Sequence, residues 1–120
     1  LLSKLTSTEP SARIALPTAQ GTVFVPLTNI TYCEAEASYT WFYFTDRERI
    51  LVTKNLGEYE ELLSRSGFLR IHHAHLINAA HITGLVKGNS PTLILGNKVH
   101  LSVSQRRKEI LQRYLDGMMK

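Results

Sequence analysis

Gly67-Phe-Leu-Arg-Ile-His-His-Ala-His-Leu-Ile-Asn78 is the stretch on which the reading of this chain turns. Apolar Phe68, Leu69, Ile71, Leu76 and Ile77 frame Arg70 and three histidines, His72, His73 and His75, and Asn78 closes the run. The pattern predicts a bent strand over Leu69–Asn78. In an extended chain His73 and His75 project to one face. With His81 or His100 added, such neutral imidazoles suit zinc or nickel. No carboxylate or thiolate lies close in sequence to complete a ligand set, and His81 and His100 read more simply as packed or solvent-facing rings.

Working outward, Arg13–Leu16 and Thr22–Pro26 read as short strands on either side of the turn-rich Pro17–Gly21. Ile30–Glu36 alternates imperfectly, and Tyr39–Thr45 is strongly β by its aromatic and β-branched content. Asp46-Arg47-Glu48 turns it into Arg49–Thr53. The period then changes. Over Asn55–Ser66, Leu56, Tyr59, Leu62 and Leu63 share a helical face, Asn55 with Glu58 has capping-box spacing, and Gly67 supplies the stop. Strands follow at His81–Val86, Thr92–Leu95 and Val99–Leu101, separated by Lys87–Pro91 and Gly96-Asn97. Gln105–Leu115 is a closing helix with Ile110, Leu111, Tyr114 and Leu115 on one face, and Ser102 or Ser104 as its cap. The lack of alternation between strand and helix argues against a parallel doubly wound sheet.

The bulk numbers bound the function. A chain of 120 residues supports one domain with one real core. Residues 1–11, rich in Ser and Thr and ending near Pro10, read as a linker or disordered arm, leaving 12–120 as the domain. The chain opens on Leu1 and reads as a piece of something longer. No apolar run approaches the roughly 18 residues of a membrane helix. No signal-peptide core follows the first residues. The lone Cys33 forms no internal disulfide and fits a reducing cytoplasm.

Net charge is +4, unevenly spread. Residues 1–46 hold two basic and four acidic residues; residues 47–120 hold twelve basic and six acidic. A basic half suits a polyanion, because cations that neutralise phosphates release condensed counterions. Catalysis has little to stand on. Cys33 sits in an apparent strand with no adjacent cation, and there is no G-x-S-x-G turn or Gly-rich phosphate loop. Glu34 and Glu36 share a strand face, which surface alternation explains. No enzyme and no cofactor are expected. Nucleic-acid binding has more support: Ser104-Gln105-Arg106-Arg107-Lys108 opens a helix whose first N–H groups and side chains can meet a phosphate, and arginine is the commonest reader of guanine.

In order and spacing, several segments resemble the LytTR family of bacterial DNA-binding domains, usually fused behind a response-regulator receiver. They are Ile30–Tyr39, Asn55–Leu63, Gly67–His72, Leu76-Ile-Asn78, Ile82, Leu95-Gly-Asn97 and Val99–Ser104. The resemblance runs from near Arg13 to near Leu115. It implies a mainly β fold, an elongated arrangement of small antiparallel sheets with two short helices and no helix-turn-helix, in which loops enter successive major grooves. The DNA-touching positions of relatives fall here on Ser38 and Tyr39, on His73, and on Ser104 with Gln105, Arg106 and Arg107; Arg70 and Lys54 can hold phosphates. The implied partner is double-stranded DNA carrying imperfect direct repeats. The protein itself would be a monomer that pairs on DNA, cytoplasmic, off the membrane, with a receiver or other sensory domain N-terminal to it.

The sequence departs from the family where relatives carry His-Arg-Ser-Tyr, having His72-His-Ala-His75. Imidazoles with ordinary pKa values near 6.5 predict DNA affinity that rises as pH falls between roughly 8 and 6. The same departure keeps two other readings open: a small β-rich metal-binding domain built on His72, His73 and His75, or a protein-interaction module on the same scaffold.

Overall fold

The computed structural model describes residues 12–96 and 99–118. The arm expected at 1–11 and Asn97 of the expected Gly96-Asn97 turn lie outside the described residues. Ten strands form: β1 Arg13–Thr18, β2 Gly21–Pro26, β3 Ile30–Glu36, β4 Tyr39–Phe44, β5 Ile50–Val52, β6 Phe68–His72, β7 His75–Asn78, β8 Ile82–Val86, β9 Thr92–Leu95 and β10 Val99–Ser102. Two helices join them, α1 Leu56–Leu63 and α2 Lys108–Met118. All strand pairs are antiparallel, in sheets ordered β1-β2, β5-β4-β3-β7-β6 and β10-β9-β8.

The five-stranded sheet is the middle layer, because its side chains alternate between two apolar partners. One face carries Cys33, Phe42, Val52, Phe68 and Leu76, which pack with Ile14, Leu16 and Val25 of the β1–β2 hairpin and Leu56, Tyr59 and Leu63 of α1. The other carries Ile71 and Ile77, which pack with Leu93, Leu95, Leu101 and Val103 and with Leu111 of α2. Asn78 ties the layers' connections together. Its buried amide donates to the Ile30 (2.9 Å) and Leu27 (3.3 Å) carbonyls and accepts from Ala80 N (3.1 Å).

The helix α1 starts and stops where its punctuation dictates: Asn55 Oδ1 accepts from Glu58 N at 3.0 Å, and Gly67 adopts φ +86° after one 3-10 turn. Leu62 was expected on the buried face but is 61% exposed, since the apolar face of this two-turn helix is narrower than its leucine content. The bent strand over Leu69–Asn78 is two strands, β6 and β7, joined by a two-residue turn at His73-Ala74. The expected closing helix divides into a 3-10 turn, Gln105–Arg107, and α2. Of its apolar face Leu111 is buried and Leu115 half-buried, while Ile110 and Tyr114 are exposed. The Ser102–Gln105 capping box does not form: Ser102 belongs to β10, and Gln105 Nε2 donates to Asn89 O at 3.0 Å.

Tyr59 packs edge-to-face on Phe42, ring centroids 4.8 Å apart. Its buried hydroxyl has no hydrogen-bond partner among the described residues, and burial raises its pKa to about 12. An unpaired buried oxygen costs stability that a phenyl ring does not. Tyr59→Phe is therefore expected to keep or raise the unfolding midpoint in urea, whereas Tyr59→Ala loses about 3–5 kcal/mol through the cavity it leaves. A clear loss for the Phe variant would mean that the hydroxyl has a partner in solution.

Candidate nucleic-acid interface

Register decides which loops meet. Glu34 pairs with His75 and Glu36 with Tyr39, so the Ala37-Ser38 and His73-Ala74 turns lie at the same end of the central sheet. Ala35 N donates to Ala74 O at 2.8 Å across that end. The pairing of Thr40 with Val52 brings Lys54 there as well, and Thr40 Oγ1 donates to Lys54 O at 2.8 Å. Beyond β6, Ser104 N donates to Ile71 O at 2.8 Å, which docks the 104–107 segment beside the His73 turn.

Sequence positions scattered over the chain thus form one row: Lys54, then Ser38 and Tyr39, then His73, then Ser104 to Arg107. Five strands at about 4.8 Å spacing make the row roughly 19 Å across the sheet alone, wider than the ~12 Å major groove. Lys54, Ser38, Tyr39, His73, Gln105 and Arg106 are exposed; Ser104 and Arg107 are half-buried. Ser104 stands at the start of the 3-10 turn without a side-chain cap bond. Ala37 holds φ +55°, a conformation that a residue with a Cβ adopts at some cost.

Arg70 differs from its neighbours. Its side chain is 14% exposed, and its guanidinium donates to His72 O (2.9 Å), His73 O and a Glu60 carboxylate oxygen. It braces the His73 turn from below, with three of its five N–H groups spent on these partners. Arg107 is also partly engaged, its Nη1 lying 3.4 Å from the other Glu60 oxygen. Among the described residues Arg106 has no such partner.

The tight turn separates the three histidines. His73 is at the exposed tip, while His75 projects onto the sheet and does not share a face with it as an extended chain would require. His72 Nδ1 accepts from Ala74 N at 3.1 Å, closing the turn. His75 Nε2 lies 3.1 Å from Glu34 Oε2, and its Nδ1 is buried without a partner among the described residues. No group of three or more His, Cys, Asp or Glu side chains among the described residues is arranged to hold a metal ion.

Surface alternation does not account for Glu34 and Glu36, because the structure gives each a partner. Glu34 accepts from Tyr43 Oη (3.0 Å), Glu36 from Trp41 Nε1 (2.6 Å). Arg49 stacks 3.9 Å above the Trp41 ring and donates to Tyr43 Oη at 3.1 Å. Tyr32 stacks on Tyr43 at 4.3 Å, and burial with the neighbouring Tyr43 and Glu34 raises its pKa to about 12. This network stiffens the β3–β4 and β6–β7 turns from beneath. Sequence reasoning missed the roles of Glu34 and Glu60, whose partners His75 and Arg107 lie 41 and 47 positions away, and of Trp41, which meets Glu36 across the β3–β4 hairpin; no local signal marks them.

The profile of the LytTr DNA-binding domain family matches residues 20–116, and the chain belongs to that family. Among solved structures it is similar to the LytTr DNA-binding domain of a methyl-accepting/DNA response regulator from Bacillus cereus. The TM-score is 0.74 at 24% identity, covering 87% of this chain and 96% of that one, a likeness of fold. No curated protein matches the sequence. Among the described residues no helix is long and apolar enough to cross a membrane.

Burial, and then His73, His75 and Arg70, push the His72 pKa below its ordinary 6.5. The folded state thus binds fewer protons at this ring than the unfolded chain does. Its contribution is complete above about pH 6.5 and is lost as pH falls toward the folded value. Protonation also removes the Nδ1 acceptor from Ala74 N. The exchange protection factor of the Ala74 amide should drop between pH 7 and pH 5, and His72→Asn, with a non-titrating acceptor, should flatten the profile. A pH-independent protection factor in the unaltered protein would contradict this.

Proposed function

We propose that this domain is the sequence-reading output module of a bacterial transcription regulator, which addresses a promoter through the loops at one end of its central sheet. The observation that carries the reading is the row itself: four separate loops present Lys54, Ser38 with Tyr39, His73, and Ser104 with Arg106 along one continuous edge. Family membership supports the same conclusion.

In this reading Tyr39, Ser38 and His73 address base edges in the major groove, and Lys54 and Arg106 hold flanking phosphates. Ser104 and the N–H groups of the following turn meet the backbone on the far side. Gln105, whose amide nitrogen is bound to Asn89 O, offers its oxygen. Arg70 contributes by holding the His73 turn in shape. The target is a pair of imperfect direct repeats, each bound by one copy from the same duplex face. The module works in the cytoplasm behind a receiver or other sensory domain, monomeric until it pairs on DNA.

Selection from a randomised duplex pool, read by fluorescence anisotropy with a salt titration on the winner, tests this. Enrichment of a direct-repeat motif whose affinity falls steeply with salt supports it. A folded protein that enriches nothing points instead to protein interaction. On the selected site His73→Ala is expected to cost about 1–3 kcal/mol and to relax preference at one base pair. Arg106→Ala should weaken all duplexes alike and flatten the salt dependence, with Arg107→Ala weaker in effect because Glu60 already holds that side chain. Wild-type affinity for both His73→Ala and Arg106→Ala would remove this edge as the DNA face.

A further inference from the structure

Glu60 lies on the polar side of α1, outside the row, yet its carboxylate joins two parts of that row. One oxygen takes Arg70 Nη1, and the other lies 3.4 Å from Arg107 Nη1, a residue 47 positions away in the chain. Arg70 passes the constraint on, since its Nε and Nη2 hold the carbonyls of His72 and His73. The His73 turn and the 104–107 segment are thereby tied through a single side chain.

We propose that Glu60 is a specificity-determining positioning residue: it sets the spacing of the two reading loops and keeps Arg107 from serving as a free phosphate contact. This rests on the DNA reading above. The carboxylate occupies the place that a phosphate would take between two guanidinium groups. A half-exposed ion pair adds little stability, so the arrangement is better understood by what it withholds than by what it stabilises. With Arg70 held and Arg107 partly engaged by the same carboxylate, Arg106 is the cation of that segment with no ion-pair partner among the described residues. Affinity that every sequence shares is reduced, while the geometry on which discrimination depends is held.

Removing the charge should invert both effects. Glu60→Gln is close to isosteric and retains an acceptor for Arg70, but releases Arg107. One added phosphate contact steepens the loss of affinity between 50 and 200 mM salt about three- to four-fold. The ratio of non-specific to specific Kd should fall about five-fold or more, as when one read base pair is lost. Glu60→Asp keeps the charge but shortens the reach, so the ratio should fall with less change in salt dependence.

The decisive comparison measures Kd on the selected duplex and on a scrambled one, across salt, for the unaltered domain, Glu60→Gln, Glu60→Asp, Arg107→Ala and Glu60→Gln/Arg107→Ala, with folding checked by urea melts. The expected result is a lower ratio and steeper salt dependence for Glu60→Gln, with the double variant returning to the salt dependence of Arg107→Ala. A folded Glu60→Gln protein with unaltered ratio and slope overturns the proposal, as does a steeper slope that survives loss of Arg107. If Glu60→Gln does not fold, an unaltered ratio in Glu60→Asp overturns it equally. A lack of selective binding by the unaltered domain overturns the DNA reading itself, and the role of Glu60 with it.

Discussion

The antiparallel register of β3 with its two neighbours is the constraint on which the rest of this structure depends. A two-residue turn joins β3 to β4, and another joins β6 to β7, so pairing β3 with both β4 and β7 sends two tight turns to one end. Slipping β4 by one residue against β3 would turn Phe42 away from the first core, and slipping β7 would turn Leu76 toward the second layer and Ile77 toward the first. Burial on two faces therefore specifies the register, and the register specifies which loops share the edge. The register brings the loops to one edge, and the bonds beneath that edge fix their shapes.

What lies beneath the edge is polar and densely bonded. Glu34 receives Tyr43 and His75, Glu36 receives Trp41, Arg70 spans Glu60 and two turn carbonyls, and His72 closes its own turn. Each partner removes freedom from a loop that carries exposed side chains. Preorganisation of this kind lowers the ordering cost of binding, which matters most for an interface made of loops. It also explains why the same few residues recur around the turns: a short loop with no apolar contacts of its own is held by hydrogen bonds or not at all.

Much of this was legible in the sequence where the signals are local. The helix α1 announces itself by Asn55, its apolar spacing and Gly67, and β4 by its aromatic run. The LytTR resemblance supplied the topology that local signals lack. The β6–β7 hairpin escaped a local reading because His73-Ala74 has none of the Gly, Asn or Asp chemistry that marks such turns, and the His72 ring supplies the closing acceptor instead. The capping box at Ser102 was a spacing coincidence inside a strand. Leu62 and Ile110 fit a helical stripe but face out, since a short helix buries only the positions its sheet can cover. Among the expected site residues, Ser38, Tyr39, Lys54, His73 and Arg106 lie exposed along the edge, whereas Arg70 turns inward to a carboxylate ten residues away that no pattern connects to it.

Charge is where sequence counting misleads most. The +4 balance and the basic C-terminal two-thirds suggest a surface that grips phosphates strongly. Of the four cations expected at the edge, Arg70 and Arg107 share one carboxylate, leaving Lys54 and Arg106 without an ion-pair partner among the described residues. The central part of the row is Ser38, Tyr39 and His73, with no lysine or arginine among them. Non-specific affinity scales with neutralised phosphates, whereas discrimination comes from hydrogen bonds to base edges. In the DNA reading proposed above, an edge built in this proportion favours selectivity over grip in a single copy. In that reading a second copy on the same duplex is the natural source of further affinity, because each bound domain raises the effective concentration of the next.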